Sequence, residues 1–134
     1  MSEAPLISAW YCIGGRDFDP DEVTRASGLE PTEIWRAPEV TRDTPELDNV
    51  NWIVGFRKVP YYSTEEAVAA ALDLVWPYRE RLTAYVAAHP RSASLECTVT
   101  IEVDRPVYEL SVETMKRLVE LECEFGLDVF DYSE

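Results

Sequence analysis

One histidine in 134 residues, with no Cys-x-x-Cys pair, leaves this chain little with which to hold a transition metal. His89 stands alone before Pro90, where a helix should end, and no metal site is expected. The three cysteines, Cys12, Cys97 and Cys123, are odd in number, widely spaced and set in strand-like runs. That pattern fits reduced, buried thiols rather than a disulfide framework. Bases are scarce as well, 12 against 26 acids, for a formal net charge of −14. Affinity for phosphate backbones comes from Lys and Arg, so nucleic acid is not expected as a direct partner. An anionic membrane surface would repel the chain for the same reason. No run approaches the ~18 apolar residues of a membrane span. The opening MSEAPLISAW has no basic segment followed by a long apolar one, so no signal peptide and a cytoplasmic location are expected.

Glycine is sparse too, and its placement excludes a phosphate loop. Gly14-Gly15 lies between a strand and a helix, but neither GxGxxG nor GxxxxGK[ST] is present, and Asp17, Asp19 and Asp21 follow. A turn is the reading there. Those aspartates form a D-x-D-x-D run, yet Glu22 and Gly28 occupy the places where a calcium loop needs Gly and Glu, and Pro20 intrudes. Acids at the positive end of a helix explain the run without an ion. A nucleophilic Cys12 or Cys97 would need a base such as His89, and both lie in strand patterns that bury thiols. A carboxylate pair such as Glu102 with Glu124 is not established by spacing. No catalytic residue and no cofactor are assigned, and a non-enzymatic role is expected.

What the chain does have is 46% apolar and 28% charged residues, which is globular and enough for one domain over 1–134. Its most regular stretch is LECTVTIEVD, Leu95 to Asp104, where Leu95, Cys97, Val99, Ile101 and Val103 alternate with Glu96, Thr98, Thr100, Glu102 and Asp104. Strict period two predicts a strand with one face in a core and one face wet. Further strands are expected at Leu6–Gly14, at 51–59 and at 122–130, the last with Cys123, Phe125, Leu127 and Val129 on one side. Helices are expected after Asp19, with Asp19 as N-cap and Glu22 completing a capping box, and after Ser63, with Glu66 in the same role. The second helix should kink or restart at Pro77. A third should follow Ser111, with Val112, Met115 and Leu118 inward and Glu113 paired with Arg117. Between Glu30 and Val50 no period is sustained, and a long loop is expected with a short extended piece at 33–35. The simplest assembly is α+β: a ferredoxin-like sandwich with a four-stranded, mostly antiparallel sheet, helices on one face and an extra helix between strands 2 and 3.

Several local patterns carry a resemblance. VTRASGLEPTEIW, Trp52 after a proline-rich loop, the SVETMKRL helix and the closing LDVFDY together resemble the bacterial domain-of-unknown-function 4279 family over nearly the whole chain. The matching positions are Thr24, Gly28-Leu29-Glu30-Pro31-Thr32, Trp35, Trp52, Leu127-Asp128 and Tyr132. After Trp35 the chain departs, reading Arg36-Ala37-Pro38 where the family tends to have a glycine turn. The resemblance implies a fold and no known activity.

Function must therefore be sought on the wet face. Glu96, Thr98, Thr100 and Glu102, with Glu124 and Asp128 from the last strand, would form an acidic surface suited to a basic protein partner. An immunity-type inhibitor of a basic toxin is one concrete form. Trp35 and the Tyr61-Tyr62 pair sit at loop edges, where aromatics anchor interfaces, and Trp35 joins the candidate partner-binding set. The alternatives are a homodimer through the same sheet face, and a small-molecule site under the 30–50 loop lined by Trp35 and Trp52.

Overall fold

The strand with the most regular alternation sits inside the sheet, as its two-sided pattern requires. The computed structural model describes residues 3–37 and 49–134. Its strands are β1 (Leu6–Gly15), β2 (Glu33–Arg36), β3 (Val50–Pro60), β4 (Ser92–Ile101) and β5 (Glu124–Asp131). They form one sheet in the order β2-β3-β1-β4-β5. β1 pairs antiparallel with both β3 and β4, and β2 pairs antiparallel with β3. β5 runs parallel to β4. Two expectations are corrected here. The sheet is five-stranded, because the short extended piece at 33–36 is a full ladder partner of β3, and although mostly antiparallel it is mixed, because β5 runs parallel to β4. The order is not ferredoxin-like, because β3 and β4 take both edges of β1 and the last strand adds to the outer edge of β4.

The helices are α1 (Asp21–Ser27), α2 (Thr64–Val75), α3 (Arg79–Ala88) and α4 (Val112–Glu120). They bury against one face of the sheet. Ile7, Ala9, Tyr11 and Ile13 of β1 meet Trp52 and Val54 of β3, Leu95, Cys97 and Val99 of β4, and Val68, Leu72 and Val75 of α2 in one core. β4 ends at Ile101, so Val103 lies past the strand and is exposed rather than inward. Pro77 breaks the expected long helix instead of kinking it. A 3-10 turn at Trp76–Tyr78 separates α2 from α3, consistent with a ring that cannot continue the hydrogen-bond ladder. Trp76, the first residue of that turn, is flanked by the guanidinium groups of Arg79 and Arg117, 4.5 and 4.6 Å from its ring centre.

The helix caps are partly rearranged. Ser63 caps α2 as expected, but its partner is the Glu65 N–H. The Asp19 carboxylate accepts from the Asp21 N–H at 3.0 Å, although Pro20 is the residue at the cap position. Glu22 is drawn away from any capping box to Arg91 and the Tyr85 hydroxyl. Gly28, at φ 78°, closes α1 in the left-handed conformation that glycine adopts without strain.

Of the three residues expected inward on α4 only Leu118 is, because the helix is rotated toward its Thr114 side. Thr114, Leu118 and Leu121 are buried, whereas Val112 and Met115 are exposed. Polar Thr114 is accommodated because the Glu65 carboxylate accepts its hydroxyl at 2.8 Å, along with the Ser111 N–H at 2.7 Å. Arg117 pairs with Asp73 of α2 at 2.8 Å rather than with Glu113. Together these contacts lay α4 against α2.

A hydrogen bond across the core joins two of the family-like positions. The buried Trp52 indole N–H donates to Thr24 Oγ1 at 3.1 Å, tying β3 to α1. Thr24→Val keeps the side-chain shape and strands that donor, which should lower stability by about 1–3 kcal/mol. Urea unfolding should show a lower midpoint with an unchanged slope, and adding Trp52→Phe should not repeat the loss of the hydrogen bond. Equal stability of Thr24→Val and the native chain would disprove the role given to this bond.

Candidate functional site

The ladder registers decide which side chains share the second sheet face. Trp10 is opposite Glu96 on one side and Gly55 on the other, and Glu96 is in turn opposite Gly126. One row further along, Ser8, Thr98 and Asp128 align, followed by Thr100 with Phe130. Among the described residues no helix packs on this face, although Ser8, Cys12 and Ile53 are buried within it. The Cys12 thiol donates to Asn51 Oδ1 at 3.2 Å.

Two glycines shape the surface. At Gly55 a Cβ would stand 2.5 Å from the Trp10 Cα, so its absence lets the β1 backbone at Ala9 and Trp10 come close to β3. The Arg57 guanidinium then sits 5.3 Å from the Trp10 ring centre and bonds Glu33 through Nη2 at 2.8 Å. At Gly126 the missing Cβ leaves room for the Glu96 carboxylate to lie over β5. A bulge between Ile7 and Ala9, with Lys58 at φ 53° and its N–H bonded to Ser8 Oγ at 2.9 Å, sets the strand end beside Trp10. Open cavities flank the indole. One of about 220 Å³ is lined by Thr32, Glu33, Ile53 and Arg57. Another of about 320 Å³ is lined by Ser8, Lys58, Thr98, Thr100, Glu102, Phe130 and Tyr132.

Six of the seven residues singled out in the sequence gather on this side of the molecule. Glu96, Thr98 and Thr100 lie on β4, and Glu124 and Asp128 on the neighbouring β5. Glu102 follows the end of β4 and lines the larger cavity. Trp35 shares the open face by register but stands apart from them. It pairs with Asn51 at the opposite edge, three strand spacings or about 14 Å from β4. Trp52, one residue from Asn51, is fully buried on the helix side, so Trp35 and Trp52 cannot line one pocket. Most of the 30–50 loop, residues 38–48, lies outside the described residues. Tyr61 packs against the core and Phe56, while exposed Tyr62 donates its hydroxyl to Asp104. That hydrogen bond raises the Tyr62 pKa.

Sequence reasoning missed the centre of the face. Trp10, Arg57, Lys58, Phe130 and Tyr132 surround the larger cavity and none was selected. The available signal was Gly55, an isolated glycine in a strand, which marks close approach of another group. The charge is also less uniform than expected: acids occupy the β4–β5 half, while Arg57 and Lys58 stand on β3.

An α+β domain with one sheet face covered by helices and the other open is thus the class of protein defined here. The sequence matches the model of a domain of unknown function (DUF4279) over residues 6–132. The chain belongs to that family. No curated protein and no solved structure matches it. The family-like positions in the first half have structural explanations. Thr24 receives the Trp52 N–H, and Thr32 clamps β2 to β3 by donating its N–H and hydroxyl to the Ile53 carbonyl and accepting the Gly55 N–H.

None of the groups arrayed here forms a nucleophile–base pair. Burial pushes the thiols of Cys97 and Cys123 up to about 11, leaving them neutral near pH 7. His89 is elsewhere, stacked on Tyr85 with ring centres 4.2 Å apart. Among the described residues no cluster of metal-ligating groups forms.

Two predictions follow from this chemistry. Both thiols should resist alkylation in native protein at neutral pH and react on unfolding. Because their folded pKa values are raised, their contribution to stability should be full below about pH 9 and lost as pH rises through about 11, as read by urea midpoints. Separately, Gly55→Ala should destabilise by about 1–3 kcal/mol, since backbone and Trp10 cannot yield. Gly126→Ala should cost less, because the flexible Glu96 side chain can swing away. Equal losses would contradict this account of the two glycines.

Proposed function

We propose that the chain is a non-catalytic protein-binding module of the cytoplasm that engages a basic partner through the acidic half of its open sheet face. The observation that carries this reading is the placement of Glu96, Thr98, Thr100, Glu124 and Asp128 on two adjacent strands, with Glu102 just beyond. Such a surface raises encounter rates with a positively charged protein and makes association sensitive to salt. Arg57 does not cancel it, because Glu33 already holds that guanidinium. Trp10, Phe130 and Tyr132 add aromatic anchors next to the acids, the residue types that dominate binding energy at interfaces. An immunity-type inhibitor covering a basic toxin is one concrete form of this role.

The larger cavity favours a second reading, a small-molecule site, since it joins aromatic rings with Lys58, Glu102 and two threonine hydroxyls. This site lies beside Trp10 rather than under the 30–50 loop. A homodimer through the open face is the third arrangement, and sedimentation at low and high salt would reveal it as a stable dimer mass.

Cross-linking and affinity capture from the source cells should test the main reading. The native chain should retain a basic protein that high salt releases and that Glu96→Lys/Asp128→Lys no longer binds. Capture of the same protein by the charge-reversed chain would rule out the acidic face.

A further inference from the structure

The two edges of the sheet are not alike. β2 is four residues long and follows closely on Pro31, which makes it a short and protected edge. β5 is eight residues long, pairs with β4 without a register break, and contains no proline, lysine or bulge. Those are devices by which proteins often blunt an edge; β5 has in their place only its acids, Glu124, Asp128 and Asp131, which repel acidic strands and admit basic ones.

Its exposed backbone is identifiable. The Tyr132 N–H donates to the Ile101 carbonyl of β4 at 2.8 Å. Backbone groups alternate in direction along a parallel ladder, so Phe125, Leu127 and Val129 turn their N–H and C=O groups to the open edge. The side chains of these same three residues lie on the helix side, yet remain 38%, 43% and 44% exposed. α4 packs against α2 and leaves them partly exposed. Beside them lies a groove of about 220 Å³ between β5 and the 108–110 segment, lined by Thr64, Tyr108, Leu110, Phe125 and Leu127, with Glu109 at its rim. On the opposite side of β5 stand exposed Glu124 and Asp128.

We propose that β5 is a docking edge for an extended segment of a protein partner that alternates apolar with basic residues. The segment adds a sixth strand to the sheet. Its backbone bonds to Phe125, Leu127 and Val129, its apolar side chains enter the groove beside Tyr108 and Leu110, and its Lys or Arg side chains meet Glu124 and Asp128. Charge selects this occupant over a second copy of the chain. The open face of β5 carries Glu124 and Asp128, and each copy carries −14, so self-pairing would set like charges together. This inference rests on the reading of the chain as a protein-binding module and names the mode by which it binds.

A synthetic peptide of β5's length, alternating valine and lysine, tests it against full-length protein. Binding should slow amide exchange at Phe125, Leu127 and Val129 by about tenfold or more. A peptide of the same composition with its lysines in one block should not do so. Leu127→Pro removes an edge donor without touching the β4 ladder and should abolish binding. Leu127→Lys, checked for native circular dichroism, serves the same purpose should the proline variant unfold. No binding, equal protection by the block peptide, or a dimer in which these amides are already protected would overturn the proposal. Binding that protects only the Glu96–Trp10 face would also overturn it, while leaving the binding-module reading in place.

Discussion

Neighbouring strands that run in the same direction cannot be joined by a tight turn, and that constraint on β4 and β5 governs much of this molecule. The chain must leave β4 at Ile101, cross the helix layer and return to begin β5 at Glu124. On the way it docks against the start of α2. Ser63 forms a bridge with Val107, the Thr64 hydroxyl donates to the Glu109 carbonyl at 2.8 Å, and Glu65 holds Ser111 and Thr114. One helix terminus therefore organises the entire return path. Its polar groups are consumed in positioning α4, which explains why so polar a junction is tolerated near the core.

Where local pattern and burial coincide, the fold is legible in the residues. β4 alternates because one side is core and the other is not, and β1 and β3 beyond it show the same signal. Gly28 and Ser63 mark helix ends by chemistry that is local. Legibility fails where the deciding contact is distant. β2 has only four residues and no clear period; its state comes from pairing with β3 and from the Thr32 clamp. α4 carries two plausible inner stripes that share Leu118, Val112-Met115-Leu118 and Thr114-Leu118-Leu121. The more polar one is buried because Glu65, nearly fifty positions earlier, satisfies Thr114. No periodicity rule could foresee that choice. The partner of β5 was likewise hidden, since strand order depends on which edges are already occupied.

The face opposite the helices was legible in outline and misjudged in detail. Alternation in β4 exposed its acids and threonines, and the registers bring Asp128 beside Thr98 as a two-strand acidic region. The tryptophan at its centre was not visible, because Trp10 in a central strand reads as core. The absence of a side chain at Gly55 is what lets the main chain carrying Trp10 come so close to β3. Family membership and geometry also divide the labour differently from what a motif suggests. Thr24, Thr32 and Trp52 hold elements together, so their presence speaks to architecture, whereas the residues that can meet a partner lie elsewhere.

The central position of β1 has a consequence for how the protein comes into being. A ribosome delivers this strand first, yet its two neighbours begin at Val50 and Ser92. Ile7, Tyr11 and Ile13 stay unpaired until Pro60 has been made, and open on the β4 side until Ile101 has followed. Non-local pairing of this kind slows folding and lengthens the exposure of sticky segments. The heavy excess of carboxylates then acquires a use before the native state exists, keeping nascent chains apart while the middle of the sheet is still missing both its sides.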